Sequence, residues 1–339
     1  MKKIYWVFFL FIVILIPSIF YITKTNQDSF SAEKYFDLFS FNDNNEDHER
    51  IYIKYIKESD YLLIASKKAW EHRVINNINL FINAFNLIRD KIDTDFSLTI
   101  ETGDYSFNAS NLACSYRNVK GKYQIPDFSF YGWPECGFED YDETCKEIEE
   151  AGKKPYIYDK IFWIGNTETN KVRERLVEKG LYNEKFEFIG MNWIRPTSKK
   201  DKLERQKATK YVSLPDHAQY KYLIDAPGTG YSARIKLLMF SNRPLFIIER
   251  NDVEYFMKDL KPFVHYIPVR YDLSDLDEKY RWAEENYEEA QKIAQNALEY
   301  AKNNLKTKDA VLKYSEVLSK YIDDYKKQQE IKKLKNTTQ

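Results

Sequence analysis

The chain has 339 residues, enough for two domains of ordinary size, and its 52 basic residues balance its 52 acidic residues. A net charge of zero argues against general nucleic-acid binding, which needs a basic surface. Three cysteines are too few for a disulfide scaffold. Cys136 and Cys145 are near enough in sequence to form one local pair.

An apolar run at the N-terminus predicts a membrane anchor. Lys2 and Lys3 precede a mostly apolar stretch over residues 4–22, and about 20 apolar residues span a bilayer as a helix. The stretch is longer than the apolar core of a cleaved signal peptide, and no small-residue cleavage site follows it. We therefore expect a transmembrane signal anchor over residues 1–24 and an acidic stem over residues 25–50.

The orientation of this anchor decides the compartment of the remaining chain. Lys2 and Lys3 favour a cytoplasmic N-terminus, which places the body on the non-cytoplasmic side, the Golgi or ER lumen in a eukaryotic cell. Lys24, on the far side of the apolar run, weakens this asymmetry. The opposite orientation, with the body in the cytoplasm, therefore stays open.

A first lobe is expected over residues 51–158. Residues 51–92 carry apolar positions at helical spacing, most clearly between Ile75 and Ile88. A strand is predicted from Phe96 to Ile100, and it runs into the turn Thr102-Gly103-Asp104. The following residues, up to 155, hold many turn formers and few periodic runs.

A second lobe is expected over residues 159–282, because strand and helix patterns alternate there, as in parallel sheets. C-terminal helices should follow over 283–328, with a basic tail over 329–339. The predicted elements of this lobe are strands at Tyr156–Ile164, Phe186–Ile189, Tyr222–Ile224 and Leu245–Ile248, and helices at Lys171–Lys179 and Ser232–Leu238.

The most informative segment lies around the Gly-rich turn that follows Tyr222–Ile224. Gly228 and Gly230 would let a phosphate approach the backbone, and Ser232 could cap a helix whose N-terminus attracts anions. Arg234 and Lys236 add positive charge where a nucleoside diphosphate would lie.

Glu249 ends the next strand, where a carboxylate can accept a hydrogen bond from a ribose hydroxyl. The same residues also fit a dinucleotide fingerprint, since Gly228, Gly230 and Ala233 have the G-x-G-x-x-A spacing and Glu249 follows about 20 residues later. A nicotinamide-dependent enzyme is therefore an alternative. Arg234 and Lys236 suit a strongly anionic leaving group better.

These motifs together resemble glycosyltransferase family 90, the capsule-associated, lipopolysaccharide-modifying family that includes the Rumi-type protein O-glucosyltransferases. The matching residues are Asp216-His217, Tyr220–Leu223, Gly228, Ser232-x-Arg234-x-Lys236, Lys261–Val269 and Asp272–Ser274. The resemblance implies an α/β fold of GT-B type, in which two Rossmann-like lobes face each other across a cleft.

The activity that the resemblance implies is inverting transfer of a sugar from a nucleoside diphosphate donor, a UDP-sugar, to a hydroxyl group. The acceptor would be a glycan, lipopolysaccharide or capsule, or a protein. The resemblance also implies a metal-independent enzyme without a cofactor. Asp-x-Asp pairs, which hold metals in other sugar-transfer folds, occur here at Asp93/Asp95 and Asp140/Asp142. A chain with 52 acidic residues is expected to contain such pairs by chance. We therefore expect no metal site.

Asp104 is the candidate general base, because relatives of Rumi type carry their catalytic Asp in a similar Asp-Tyr setting at a strand end, and Glu101 is the nearest rival. Gly165, Asn166 and Thr167 match a donor-binding segment. Ile164 stands where these relatives have Arg, so a phosphate contact is lost or is supplied by Arg173 or Arg175. This departure leaves a degenerate sugar-nucleotide or glycan-binding module as a further alternative.

Overall fold

The computed structural model describes residues 18–23, 50–67, 71–104, 111–115, 123–194, 205–208 and 211–337. Within these ranges the strands form two sheets of six strands each. The first sheet has the order β1-β3-β2-β4-β5-β6. Its strands are β1 (Ser18–Thr23), β2 (Arg50–Ile56), β3 (Tyr61–Lys67), β4 (Phe96–Glu101), β5 (Leu112–Ala113) and β6 (Tyr123–Gln124).

The second sheet has the order β12-β11-β10-β7-β8-β9 and is parallel except for β9 at one edge. Its strands are β7 (Tyr158–Asn166), β8 (Phe186–Ile194), β9 (Arg205–Ala208), β10 (Tyr220–Asp225), β11 (Leu245–Ile248) and β12 (Ile267–Val269). The described helices are α1 (Glu71–Ile88), α2 (Tyr141–Gly152), α3 (Lys171–Gly180), α4 (Ile235–Leu238), α5 (Leu276–Glu285), α6 (Tyr287–Asn304) and α7 (Thr307–Thr337).

The first sheet corrects the expected helical start of the first lobe. Residues 50–67 form a hairpin, and only Glu71–Ile88 is helical. In β2 the buried side chains of Ile51, Ile53 and Tyr55 alternate with half-buried ones, which is the two-residue period of a strand. The turn at Asp60 has a positive φ of 55°, and a tight turn joins antiparallel neighbours.

The α/β class is confirmed. Only the second sheet, however, has the mostly parallel topology of a Rossmann-like lobe, and the first sheet does not. In the first sheet the pairs β1–β3, β3–β2 and β2–β4 are antiparallel, and parallel pairing begins at β4. The second sheet matches its sequence pattern closely, and β11 has the predicted bounds, Leu245–Ile248. Its four side chains are all buried, as a central parallel strand requires.

The two ends of the chain meet on the first sheet. Helix α7, which follows the second sheet, packs on α1, and the hydroxyl of Tyr321 donates a 2.6 Å hydrogen bond to the carbonyl oxygen of Ser97 in β4. The ring of Tyr314 meets that of Phe81 edge to face at 6.2 Å. The helix therefore completes the core of the first sheet.

Most of the predicted membrane anchor, residues 1–17, lies outside the described residues, as do 24–49 of the stem. Ser18–Thr23 is a strand that pairs antiparallel with β3, so the predicted helix does not extend through these six residues. Among the helices that the structure describes, none combines the length and the apolar character needed to cross a bilayer. The three cysteines are free thiols, so Cys136 and Cys145 do not pair.

Candidate functional site

The candidate site lies along one edge of the second sheet, where the parallel strands β7, β10, β11 and β12 end. Asn166, Asp225 and Ile248 are the last residues of three of these strands. In open α/β sheets, ligands bind in the crevice outside the carboxyl ends of the strands. The donor-site residues predicted from the sequence, apart from Lys236, follow one of these ends or lie on it.

Asp225 is the buried centre of this edge. Its carboxylate accepts a 2.8 Å hydrogen bond from the hydroxyl of Ser232 and a 2.7 Å bond from Nη1 of Arg250, and Nη2 of Arg234 lies 3.6 Å away. A fully buried carboxylate needs such partners, because its desolvation is costly. Asp225 therefore fixes Ser232 and Arg234 beside each other at the end of β10.

The predicted helix after the Gly-rich turn is shorter than expected. Ser232, Ala233 and Arg234 precede α4, which is one turn long, and the N-cap residue Arg234 makes no side-chain capping hydrogen bond. Ser232 binds Asp225 instead of capping a helix. A single turn has little dipole to offer an anion, so positive charge at this edge comes from side chains.

Arg234 bridges the two central strands of the edge. Its Nη1 donates a hydrogen bond to the carbonyl oxygen of Ile164 in β7, and its guanidinium lies 5.7 Å from the centre of the Trp163 ring. The side chain keeps 20% of its surface exposed. Arg234 thus remains accessible to a ligand while its position is fixed by two strands.

Arg173 is one of the two residues predicted to replace the missing family Arg. Its guanidinium binds backbone carbonyl oxygens at the start of the Gly-rich turn. It donates hydrogen bonds to the carbonyl oxygens of Pro227 at 2.9 Å, Ala226 at 3.1 Å and Asn166 at 3.0 Å. Burial, reinforced by the charge of Arg234, lowers the pKa of Arg173 to about 9, which leaves it cationic at neutral pH.

The edge carries an excess of positive charge. Two guanidinium groups, those of Arg234 and Arg250, pair with the carboxylate of Asp225, and that of Arg173 lies near enough for the charges of Asp225 and Arg234 to act on it. Within this group of four side chains two positive charges are left over, and the exposed carboxylate of Glu249 lies farther along the same edge. Such a surplus of fixed guanidinium groups suits a phosphate-bearing ligand.

Lys236 does not lie at this edge, which corrects its predicted role as a donor ligand. Its fully buried ammonium lies 2.6 Å from Oε1 of Glu254 and 3.1 Å from Oδ2 of Asp127. Burial alone would lower the pKa of Lys236, but the two carboxylates outweigh it and raise that pKa. Burial raises the pKa of Glu254 to about 7. The positive charge of Lys236 therefore neutralises buried carboxylates inside the fold.

The remaining predicted donor residues are spread along the edge. Gly165 packs on Trp163, where an added β-carbon would come within 2.8 Å of the indole ring. Asn166 is buried; its Oδ1 accepts from the backbone N–H of Glu168, and its Nδ2 has no partner among the described residues. Thr167 is half-buried just beyond the strand, so it lies beside Asn166 at the rim.

The Gly-rich turn and Glu249 form the other half of the edge. The carbonyl oxygen of Gly228 accepts a 2.8 Å hydrogen bond from Asn170, the N-cap of α3. Gly230 is buried. Glu249 is exposed after β11, and its carboxylate accepts a 3.4 Å hydrogen bond from the backbone N–H of Tyr271.

Asp104 lies at the end of β4 in the first sheet, and 40% of its side chain is exposed. Arg73 donates a 3.0 Å hydrogen bond to its Oδ1, and the same Arg73 nitrogen donates to the carbonyl oxygen of Thr102. The rival carboxylate of Glu101 is buried and accepts from the backbone N–H of Gly103 at 3.4 Å. Of these two acids, Asp104 is therefore the one that an acceptor could reach.

The segment between the two sheets lies close to residues on both sides of the candidate site. Trp133 in this segment packs against Arg73 and against the cluster that contains Tyr231. Burial raises the pKa of the Cys136 thiol to about 12, while the charges of Arg234, Arg73 and Arg173 act against that rise. The Cys136 thiol thus lies within electrostatic reach of both halves of the site.

Sequence reasoning missed four residues that organise the site: Arg73, Asp127, Asp225 and Arg250. Asp225 could have been recognised from the sequence. An acidic residue directly after the buried apolar run Tyr222–Ile224 needs a positively charged or hydrogen-bonding partner. The Asp-x-Asp pairs have structural roles. Asp140 caps α2 through the N–H of Glu143, Asp142 accepts from the N–H of Thr307, and Asp93 pairs with Lys326.

Known families and proteins with similar sequences match part of this chain. The model of Glycosyl transferase family 90 matches residues 115–338. Protein O-glucosyltransferase 1 of Rattus norvegicus is 43% identical over 89 residues, which cover 26% of this chain and 22% of the relative. Protein O-glucosyltransferase 3 of Homo sapiens is 31% identical over 132 residues, 37% of this chain and 26% of the relative. The aligned segments thus span only a minor part of these relatives.

Among solved structures, Anabaena HepE in complex with UDP-glucose aligns at 15% identity and a TM-score of 0.32, covering 58% of this chain and 47% of that one. A glycosyltransferase from Rickettsia africae aligns at 15% identity and a TM-score of 0.30, covering 52% and 45%. The family model spans most of the chain and every residue around Asp225, although Asp104 precedes it. On this match, the chain belongs to glycosyltransferase family 90.

Proposed function

We propose that the chain is an inverting glycosyltransferase that moves a sugar from a nucleoside diphosphate donor to an acceptor hydroxyl. UDP is the nucleotide that the family resemblance favours. The acceptor is a hydroxyl of a glycan, of lipopolysaccharide or capsule, or of a protein. Relatives named protein O-glucosyltransferase make glucose the first sugar to test.

The observation that carries this proposal is the surplus of positive charge around Asp225. A nucleoside diphosphate leaving group carries its developing negative charge on phosphate oxygens. Fixed guanidinium groups aimed at that charge stabilise the transition state more than the ground state. Arg234 is the partly exposed member of the group and would contact the diphosphate directly.

Asp104 would supply the second half of the chemistry. Its carboxylate takes the proton of the acceptor hydroxyl as the oxygen attacks the anomeric carbon, and the bond to the diphosphate breaks on the opposite face of the sugar. Arg73 orients the carboxylate through a 3.0 Å hydrogen bond. General-base assistance of this kind contributes typically about 10²–10⁴-fold to a rate.

In this proposal the two sheets are the two lobes of a GT-B arrangement, with the acceptor beside the first sheet and the donor on the second. The apolar residues 4–17, which precede β1, would hold the enzyme at a membrane, with the body on the non-cytoplasmic side. Neither a metal nor a cofactor takes part, since the arginines neutralise the leaving group. A binding module without turnover is the second candidate, favoured by Ile164 in place of the family Arg.

The test is the release of nucleoside diphosphate by the full-length chain in detergent from a panel of UDP-, GDP- and ADP-linked sugars, with and without EDTA. We expect UDP release from one sugar, unchanged by EDTA. Arg234→Ala should abolish it, whereas Arg281→Ala, an exposed arginine on α5, should not. Calorimetric binding of UDP without release, even with glycan and peptide acceptors present, would favour the binding module. No binding of any nucleoside diphosphate would overturn the proposal.

A further inference from the structure

The ring of Tyr271 is an exposed aromatic surface at the same edge of the second sheet. Tyr271 is the second residue after β12, and 43% of its surface is exposed. Large exposed aromatic side chains are costly unless they contact something, but single ones also occur by chance on protein surfaces. Its contacts distinguish Tyr271 from such a chance residue.

The Tyr271 ring is held in place at both ends. Its hydroxyl donates a 2.9 Å hydrogen bond to Oδ1 of Asn170, and its backbone N–H donates to the carboxylate of Glu249 at 3.4 Å. Arg175 donates to the Tyr271 carbonyl oxygen at 3.3 Å, and its guanidinium lies over the ring, 5.4 Å from the ring centre. A ring fixed in this way loses little conformational entropy when a ligand stacks on it.

Asn170 joins this ring to the Gly-rich turn. While Oδ1 of Asn170 accepts from the Tyr271 hydroxyl, Nδ2 of the same side chain donates a 2.8 Å hydrogen bond to the carbonyl oxygen of Gly228. The turn and the aromatic ring are therefore positioned by one residue, and their separation is fixed.

The order of the strands determines how the residues that follow them are arranged along the edge of the second sheet. Because the sheet runs β12-β11-β10-β7, the residues that follow these strands lie along the edge in the order Tyr271, Glu249, Gly228 and Thr167. Neighbouring strands are about 4.8 Å apart, so Tyr271 begins about 10 Å from the turn of β10. Arg234 contacts β7 through the carbonyl oxygen of Ile164.

We propose that Tyr271 is the platform on which the nucleobase of the donor stacks, with Glu249 accepting from the ribose hydroxyl between the base and the diphosphate. This inference rests on the proposed function and names the nucleoside half of its donor site. The transferred sugar would then lie toward β7, near Arg234 and the cleft that Asp104 faces. A base offers an aromatic face whatever its identity, so the platform by itself sets affinity more than base choice.

Calorimetry on the full-length chain tests the assignment with three ligands: UDP, UMP and inorganic pyrophosphate. Stacking on an aromatic side chain is worth ~1–3 kcal/mol, which corresponds to about 5- to 150-fold in affinity. Tyr271→Ala should weaken UDP and UMP by this factor and leave pyrophosphate unchanged. Tyr271→Phe, which keeps the ring and loses the bond to Asn170, should stay within about threefold of the wild type. Tyr182→Ala, at a more exposed tyrosine after α3, is the matched control.

Two results would overturn the platform. Wild-type affinity of Tyr271→Ala for UDP would show that the ring contacts no base. An equal loss for pyrophosphate would show that the ring only supports the Gly-rich turn. In both cases wild-type UDP binding would leave the proposed function intact, whereas a wild-type chain that binds no nucleoside diphosphate at all would end both proposals.

Discussion

The guanidinium of Arg173 lies directly against Gly228: a β-carbon on this glycine would come within 3.3 Å of Nη2. The same guanidinium binds the carbonyl oxygens of the two preceding residues, Ala226 and Pro227. Arg173 therefore packs closely against the Gly-rich turn, and a side chain at position 228 would disturb this contact. Arg173, which the sequence offered as a possible substitute for the family Arg at position 164, thus directs its hydrogen bonds to backbone carbonyl oxygens at the turn.

Replacing Arg173 by Lys should damage both stability and donor binding. A lysine keeps the charge but cannot donate in three directions from a planar group, and each buried carbonyl left unpaired costs about 1–3 kcal/mol. We expect a lower free energy of unfolding in urea and weaker UDP binding by calorimetry. Arg175→Ala, two residues and about half a turn along the same helix and exposed, should keep wild-type stability. Wild-type stability of Arg173→Lys would refute the supporting role.

Asp104→Asn should abolish turnover and spare donor binding. The amide keeps the shape of the side chain but cannot accept the proton, so kcat should fall by about 10²–10⁴. The measurement is sugar transfer to the acceptor identified in the donor screen, together with the Kd of UDP. Glu101→Gln, at a buried neighbour, should reduce stability more than kcat per folded molecule. Full activity of Asp104→Asn would remove Asp104 from the mechanism.

Lys236→Met should destabilise the fold. The substitution leaves Asp127 and Glu254 buried without their common ammonium partner, and breaking a buried ion pair from one side costs about 3–5 kcal/mol. Urea denaturation measures the loss. The triple variant Lys236→Met, Asp127→Asn, Glu254→Gln should recover part of it, since no buried charge then remains unpaired. A Lys236→Met chain of normal stability that has lost UDP binding would return Lys236 to the donor site.

His217 should make the fold sensitive to acid. Burial, and then the charge of Arg234, lowers the pKa of His217 to about 4, against 6.5 in an unfolded chain. The unfolded state therefore takes up the proton first. The contribution of His217 is complete above pH 6.5, is lost as the pH falls toward 4 and does not change further below that, a total of about 3 kcal/mol.

The measurement is the free energy of unfolding in urea between pH 7 and pH 4, compared with the variant His217→Gln. The glutamine can still donate to the carbonyl oxygen of Ser213, which now accepts from Nδ1 at 2.7 Å, but it does not titrate. His265→Gln is the control, because His265 is less buried than His217. Parallel pH curves for wild type and His217→Gln would contradict the assignment.

The sequence predicted the second sheet better than the first for a physical reason. Strands such as β10 and β11 are buried on both faces, so they read as short apolar runs between turn residues. The hairpin at residues 50–67 was missed because the apolar spacing of α1 dominated the segment that contains both. In the sequence, the only sign of strand β2 is that Ile51, Ile53 and Tyr55 occupy every second position.

The role of Lys236 was beyond sequence reasoning because one of its partners is distant along the chain. Asp127 lies 109 residues before it, and no local pattern connects the two. Arg234, two residues earlier, was placed at the right edge because its neighbours Ser232 and Asp225 belong to the same turn. Local motifs thus identified the donor edge, while the buried charge network depended on the tertiary fold.

The return of α7 to the first sheet has a consequence for synthesis of the chain on the ribosome. The hydrogen bond from Tyr321 to Ser97 joins residues 224 positions apart. At ~5–20 residues per second, β4 leaves the ribosome roughly 10–45 s before the helix that covers it. During that interval the apolar face of the first sheet needs a temporary partner, which makes the nascent N-terminal lobe a natural client for chaperones.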